Sequence, residues 1–352
     1  MTMKPLILKA TWRMYKLIDM LAYCRPEGST TQQEFCDKYL KPVFGSPDGA
    51  GNYIRVVGHA PTICFASHHD TVHKADGMQD VILKGETLQL PPMSTSSCLG
   101  ADCTTGVWLQ LEMIRAGIEG VYVCHAAEEV GCIGSRAVVD RNPRWLQRLE
   151  AVISFDRKGT ESVITHQMGL RTASDEFAVS LADILKLPMR PDDTGSFTDS
   201  NEYSGVVAEC TNLSVGYYRQ HSKAETQDAY FVERLRDALI AADWSQISIS
   251  RDPTVTEYKP QQYAADWLLG DMHGQPPSLS PVNRYGDRFT ASGNRRYNEQ
   301  EDCDDLSKLV FDNAMAVADW LVGNNITYED LIDELDLEDA RDNSRGFGHM
   351  YS

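Results

Sequence analysis

TICFASHHDTV, residues 62–72, opens on an uninterrupted apolar run and closes on Ser67, His68, His69 and Asp70. An apolar run this short, bounded by Pro61 and a polar cluster, reads as a strand buried on both faces, as in parallel sheets. Side chains alternate along a strand, so His68 and Asp70 point the same way and His69 the other. That geometry lets Asp70 accept a hydrogen bond from one imidazole nitrogen of His68 while the other nitrogen binds a metal.

Outward from this strand the pattern repeats. Apolar runs at Val121 to Cys124, Ala151 to Phe155 and Leu213 to Tyr217 alternate with helical stretches such as Val107 to Arg115 and Ala229 to Ala242. Strands alternating with helices predict an α/β fold, three layers deep (α/β/α), around a mostly parallel, mixed central sheet. Ligands in such sheets gather at the carboxyl ends of the strands, which is where a metal site is expected.

Before the first strand, helices are predicted over about Ala10 to Tyr23 and Thr31 to Tyr39, the second capped by Thr30 or Thr31. The Pro/Gly-rich stretch SPDGAGNYIRVVG, residues 46–58, reads as an edge hairpin. Past Asp243 the character changes. The expected organisation is a catalytic domain over residues 1–250, an irregular linker over 251–300, and an acidic helical C-terminal extension over 301–352. Within that extension Asp304 to Leu321 has helical apolar spacing, and the acidic segment Tyr328 to Asp342 reads as a solvated face.

The 352 residues carry a net charge of −18, which argues against nucleic acid and anionic membrane as general partners. No run approaches the roughly 20 apolar residues that cross a bilayer. The opening MTMKPLILKATWRMYK lacks the apolar block and cleavage site of a signal peptide, so the expected compartment is the cytoplasm. Nine cysteines without a C-x-x-C pair fit neither a disulfide framework nor a cysteine zinc cage, and most are expected to be reduced.

Four further motifs carry chemistry. In LGADCTTGVWLQLEMI, residues 99–114, Asp102 opens an amphipathic helix after a glycine turn. A carboxylate has two oxygens and can bridge two cations, which makes Asp102 the bridging candidate. VYVCHAAEEVGCIGS, residues 121–135, sets Glu128 and Glu129 just past a strand. Neighbours of divergent direction can divide the work, with Glu129 as ligand and Glu128 as general base. AVISFDRKG, residues 151–159, places Asp156 at a strand end, and NLSVGYYRQHSKAET, residues 212–226, places His221 in the loop after another. Alone each is an ordinary residue. Together they come from strand ends and one helix start that a parallel sheet brings to a single edge.

The ordered set H-x-D (His68, Asp70), G-A-D (Asp102), E-E-x-G (Glu128, Glu129, Gly131), D-R (Asp156, Arg157) and H-S-x-x-E (His221, Ser222, Glu225) resembles the superfamily of dinuclear, co-catalytic zinc exopeptidases over about Tyr53 to Trp244. The resemblance implies one metal on His68, Asp102 and Asp156 and a second on Asp102, Glu129 and His221. It implies two zinc ions, with cobalt or manganese as substitutes. The implied reaction is peptide-bond hydrolysis by an aminopeptidase acting on short peptides, through a bridging hydroxide with Glu128 as base. An N-acyl amino acid deacylase or carboxypeptidase uses the same mechanism. A glutaminyl-cyclase-like acyltransferase and a non-catalytic metal-binding protein are the readings from other classes.

Three departures mark this chain, one being that about the last hundred residues match nothing in the pattern. Cys103 and Thr104 stand where many relatives have a second Asp and a basic residue. Only about 65 residues separate Asp156 from His221, too few for an inserted lid domain, which predicts a compact, lidless type. For the substrate, a peptide or N-acyl amino acid, the candidates are Arg157, Tyr217, Tyr218 and, from TGSFTDSNEYSG, residues 194–205, Thr198, Asp199 and Glu202. Arg219 is a further candidate for a substrate carboxylate, and a homo-oligomer is compatible with the sequence.

Overall fold

The apolar runs do become the middle of a sheet. The computed structural model describes residues 12–259. Its central sheet has seven strands: β1 (Tyr53–Val57), β2 (Ile63–His68), β3 (Gly120–His125), β4 (Ala151–Arg157), β5 (Ser162–Ile164), β6 (Arg190–Asp192) and β7 (Glu209–Ser214). They lie in the order β6-β5-β7-β4-β2-β3-β1. The run β7, β4, β2, β3 is parallel, as are β5 and β6, whereas β1 is antiparallel to β3 and β5 meets β7 antiparallel. The mixed, mostly parallel sheet is therefore the one expected.

The helices that build the layers and position the site are α1 (Trp12–Leu21), α2 (Ala101–Ala116), α3 (Ile133–Arg141), α4 (Asp175–Leu185), α5 (Asp199–Glu202) and α6 (Ala229–Ala241). The two-residue period of the strands sorts the core. Phe65, Tyr122, Ile153 and Phe155 face one layer, with Trp108 and Leu109 of α2, Leu17 of α1, Phe177 and Leu181 of α4, and Leu235 of α6. Cys64, Ala66, Val121, Val123 and Val152 face the other, against Val138 of α3 and Tyr203 and Val207 beyond α5. Each valine, leucine, isoleucine or phenylalanine among them contributes about 1.5–3 kcal/mol by leaving water. Gly106 lets α2 ride directly on β4, since a Cβ there would stand 2.5 Å from the Phe155 carbonyl oxygen. That close approach brings the first turn of α2 to the ends of the strands.

Some local expectations are corrected. Ser29, not Thr30 or Thr31, caps the second helical stretch: its Oγ accepts from the Gln32 amide at 3.1 Å, while the Thr31 hydroxyl is occupied by the Gly77 amide. That stretch runs on through a π-turn, Cys36–Leu40, into Lys41–Phe44. Residues 46–58 are not a hairpin but the single edge strand β1, preceded by a turn in which Asp48 accepts the Ala50 and Asn52 amides. The run predicted as one strand from Leu213 to Tyr217 breaks after Ser214. Tyr217–Tyr218 instead joins a small antiparallel sheet with Thr226–Asp228, Thr87–Gln89 and Ile82–Lys84, so that His221 lies in the loop between two of its strands.

Arg251 still belongs to the core, because its guanidinium donates to the carbonyls of Ser204, Val207 and Ala208. The helix expected at Asp304 to Leu321 and the acidic segment Tyr328 to Asp342 lie outside the described residues. Among the described residues no helix is long and apolar enough to cross a membrane, and the eight cysteines are free and buried.

Candidate metal centre

Strand β2 ends on His68, and its ring is held as the sequence predicts. Nδ1 donates to Asp70 Oδ1 at 3.2 Å, which turns Nε2 toward Glu128 Oε2, 3.9 Å away. Asp70 does more than orient a ring. Its two oxygens accept the amides of Glu128 (3.1 Å) and Glu129 (3.0 Å), so one carboxylate fixes the histidine and the loop that carries the two glutamates. Ala127 enters that loop at φ +56°, and Gly131 leaves it at φ +113°. A side-chain-bearing residue held in the left-handed region costs roughly 1–3 kcal/mol and persists only where its surroundings enforce it.

Asp102, second residue of α2, sits 3.0 Å from His221 Nε2 through Oδ2, and Glu129 Oε1 is 3.4 Å from the same nitrogen. His221 reaches this point with φ +60°. Its loop is tied to α2 by Glu225, whose carboxylate accepts the amides of Leu99, Gly100 and Ala101 at 2.8, 3.0 and 2.8 Å. These amides are the orphan donors at the start of a helix, so Glu225 caps α2 from across the fold. Gly100 itself is left-handed, at φ +69°. Its motif named Glu225, but only the fold shows it joining the two segments that supply Asp102 and His221.

Asp156, near the end of β4, receives the Thr198 hydroxyl on Oδ2 at 2.9 Å, and its carbonyl accepts Tyr217 OH and Asn212 Nδ2. Among the described residues, three trios of ligand atoms lie within 4.8 Å of one another: Asp102, Glu129 and His221; His68, Glu128 and Glu129; and His68, Asp102 and Cys103. The first is the trio the resemblance implies for one metal. The other implied trio is gathered only in part, since Asp156 stands outside these groups and Cys103 takes its place beside His68 and Asp102. The Cys103 sulfur, however, already accepts from Arg25 Nη2 at 2.9 Å.

The charges in this centre oppose one another. Burial pushes the Glu128 carboxyl well above its ordinary range, and Glu129, Asp156 and Asp199 add to the push while His68 resists it. Burial likewise raises Glu129 to about 7 and Asp156 to about 6, in each case with repulsion from Asp102. Against burial, Asp102 and Glu129 hold the His221 imidazole up at about 11, and its hydrogen bond and charge hold Asp102 low. A cation among these carboxylates relieves a repulsion that the protein's own groups only partly cancel. The donor set of imidazole and carboxylate is the kind divalent zinc takes, so the residues fit such ions.

The residues expected to meet substrate are placed less favourably. Thr198, Asp199 and Tyr217 are buried, Thr198 and Tyr217 being bonded to Asp156. Burial pushes Asp199 up to about 8. Arg157 donates to Asp192 and Thr194, and Glu202 pairs with Arg136. Tyr218 and Arg219 are exposed in the segment that leads to His221. Cys103 and Thr104, the two departures from the expected second Asp and basic residue, meet one side chain that no motif singles out: Arg25 donates to Cys103 Sγ and, at 2.8 Å, to Thr104 Oγ1.

Fold and centre together define an α/β protein with a cluster of imidazole and carboxylate groups suited to metal at one edge of its sheet. Residues 53–205 match the family model described as Peptidase family M28, which bears out the resemblance read from the ordered motifs. Among solved structures, aminopeptidase PepT from Bacillus cereus is similar at 15% identity and a TM-score of 0.53, covering 65% of this chain and 96% of that one. A tripeptidase from Staphylococcus aureus is similar at 13% identity and a TM-score of 0.54, covering 67% and 98%. At such identities the likeness shows the shared fold. No curated protein matches the chain significantly.

Proposed function

We propose that this protein is a metal-dependent aminopeptidase that hydrolyses short peptides, with His68, Asp102, Glu129, Asp156 and His221 as metal ligands and Glu128 as general base. The observation that carries the reading is the convergence of Asp102 and Glu129 on His221 Nε2, at 3.0 and 3.4 Å, with Glu128 facing His68 in the same space. The peptidase-family match over residues 53–205 supports the same class of reaction.

Two divalent cations bound here would polarise the scissile carbonyl and acidify the attacking water. The chain's own groups do the rest. Asp70 fixes His68 and the backbone of both glutamates, so that the carboxyl of Glu128 is held at one place. Glu128 then takes the proton of the attacking water and passes it to the leaving amine. Its partial burial raises the affinity of the carboxylate for that proton.

The test is metal content of the purified protein together with turnover of aminoacyl amides, N-acyl amino acids and N-terminal glutaminyl peptides. Near two zinc per chain and release of the N-terminal residue are expected. One metal with cyclisation of the glutaminyl substrate would replace this reading by the acyltransferase one, and no metal after reconstitution with zinc would remove the centre.

A further inference from the structure

Arg25 is fully buried, and each of its three guanidinium nitrogens donates a hydrogen bond. Nε donates to the His69 carbonyl at 3.1 Å, Nη1 to the Met20 carbonyl at 3.4 Å, and Nη2 to Cys103 Sγ and Thr104 Oγ1 at 2.9 and 2.8 Å. Its plane lies over the Phe35 ring, 3.8 Å from the centroid. Thr71 pins the backbone, its hydroxyl accepting from the Arg25 amide and its own amide donating to the Arg25 carbonyl. Every one of these acceptors is neutral. Among the described residues no carboxylate forms an ion pair with Arg25.

Moving a guanidinium out of water costs several kcal/mol, and neutral acceptors recover that only in part. Hydrogen bonds to neutral acceptors do not repay the burial of a charge, so tying alone does not account for a cation here. What stands beside it does. His69 follows His68, and Cys103 and Thr104 follow Asp102, so a single planar group joins the backbone just past one ligand to the helical turn that holds the next. Asp102 immediately precedes Cys103 and belongs to the cluster of carboxylates, so a buried cation at this place adds positive charge beside them.

The geometry points to Arg25 as a positioning residue of the metal centre: it sets the separation of His68 and Asp102 and places a fixed positive charge behind them. This inference rests on the proposed metal centre. A lysine keeps the charge but cannot fork to His69 and to α2 at once, and a glutamine keeps part of the fork without the charge.

The test is zinc affinity, by competition against a chromophoric chelator, together with the visible spectrum of the fully cobalt-loaded protein, in wild type, Arg25→Lys, Arg25→Gln and Thr104→Val. Supporting outcomes are a zinc affinity about 10–100-fold weaker in both Arg25 variants and a displaced cobalt band at full loading in Arg25→Lys. Thr104→Val removes this acceptor together with a hydrogen bond to the Gly100 carbonyl, and as a near-isosteric change it is expected to fold even if the Arg25 variants do not; its zinc affinity is expected to fall roughly tenfold. Variants that melt earlier yet bind zinc with wild-type affinity and an unshifted cobalt band overturn the inference and leave the metal centre standing. A wild type that binds no zinc overturns both.

Discussion

Two groups of buried polar side chains stand within a few residues of each other, and they behave in opposite ways. In the metal centre, carboxylates crowd together: Glu128, Glu129 and Asp156 are pushed up by burial and mutual repulsion. In the frame behind it, three buried histidines are closed in neutral pairs. His69 lies between Gln32 and the Gly51 carbonyl, His73 between Thr71, Gln79 and the Cys98 carbonyl, and His125 between Asn52 and Tyr203. Burial holds these three imidazoles neutral, at about 4, 4 and 3. The three histidines are satisfied by protein atoms alone, whereas the carboxylates of the centre repel one another and are only partly offset by His68 and His221. A buried polar cluster is a site when its own groups do not satisfy it, and scaffold when they do.

The sharpest way to break that contrast is at Glu128. Glu129 also reaches His221, its Oε1 3.4 Å from Nε2, whereas Glu128 Oε2 stands 3.9 Å from His68 Nε2, so Glu128 is expected to serve chemistry while Glu129 serves metal retention. Glu128→Gln preserves size and hydrogen bonding but removes the base, and kcat is expected to fall by about 10²–10⁴ with zinc content unchanged. Comparable loss of metal in that variant would make Glu128 a ligand and undo the division of labour.

Next in size is the link between the two halves of the centre. Glu225 reaches from the His221 loop to three amides at the start of α2. Glu225→Gln keeps one acceptor oxygen and sets an amide group against backbone donors. Zinc affinity is expected to fall about 10–100-fold, with the helix content of the far-ultraviolet spectrum retained. Unchanged affinity would mean that Glu225 caps a helix and nothing more.

Much of this was legible in the chain before it folded. The apolar run Ile63 to Ala66 ending on His68 and Asp70 shows the strand, the face and the imidazole partner, because strand alternation has a fixed period. The ligand candidates were legible as an ordered set, since each follows a strand or opens a helix. What escaped is what depends on tertiary approach. Nothing near Arg25 hints that it will lie under Asp102, about eighty residues on, and the task of Thr198 is set by the neighbour that β4 presents to it. The missed cap at Ser29 and the missing hairpin at 46–58 are of another kind: several adjacent residues had suitable chemistry, and backbone dihedrals chose among them.

The smallest expected effect probes the frame alone. Asn52 Oδ1 accepts from the Ala126 amide and faces His125 Nδ1, so Nδ1 carries the proton and Nε2 accepts from Tyr203 OH. Burial, with His68 and His69 nearby, holds this imidazole near 3, far below the ordinary value of 6.5. Between those values the unfolded chain binds a proton that the folded one refuses, so stability rises with pH there and is lost as pH falls below about 6.5. From pH 7.5 to 5.5 the contribution of one such histidine is about 1.4 kcal/mol. His125→Gln offers a donor and an acceptor but does not titrate. Urea unfolding of the chelator-treated protein at the two pH values should therefore show a pH-dependent loss about 1.4 kcal/mol smaller in the variant than in the wild type. Equal losses would mean that His125 is protonated in the fold, and that the frame, like the centre, carries charge.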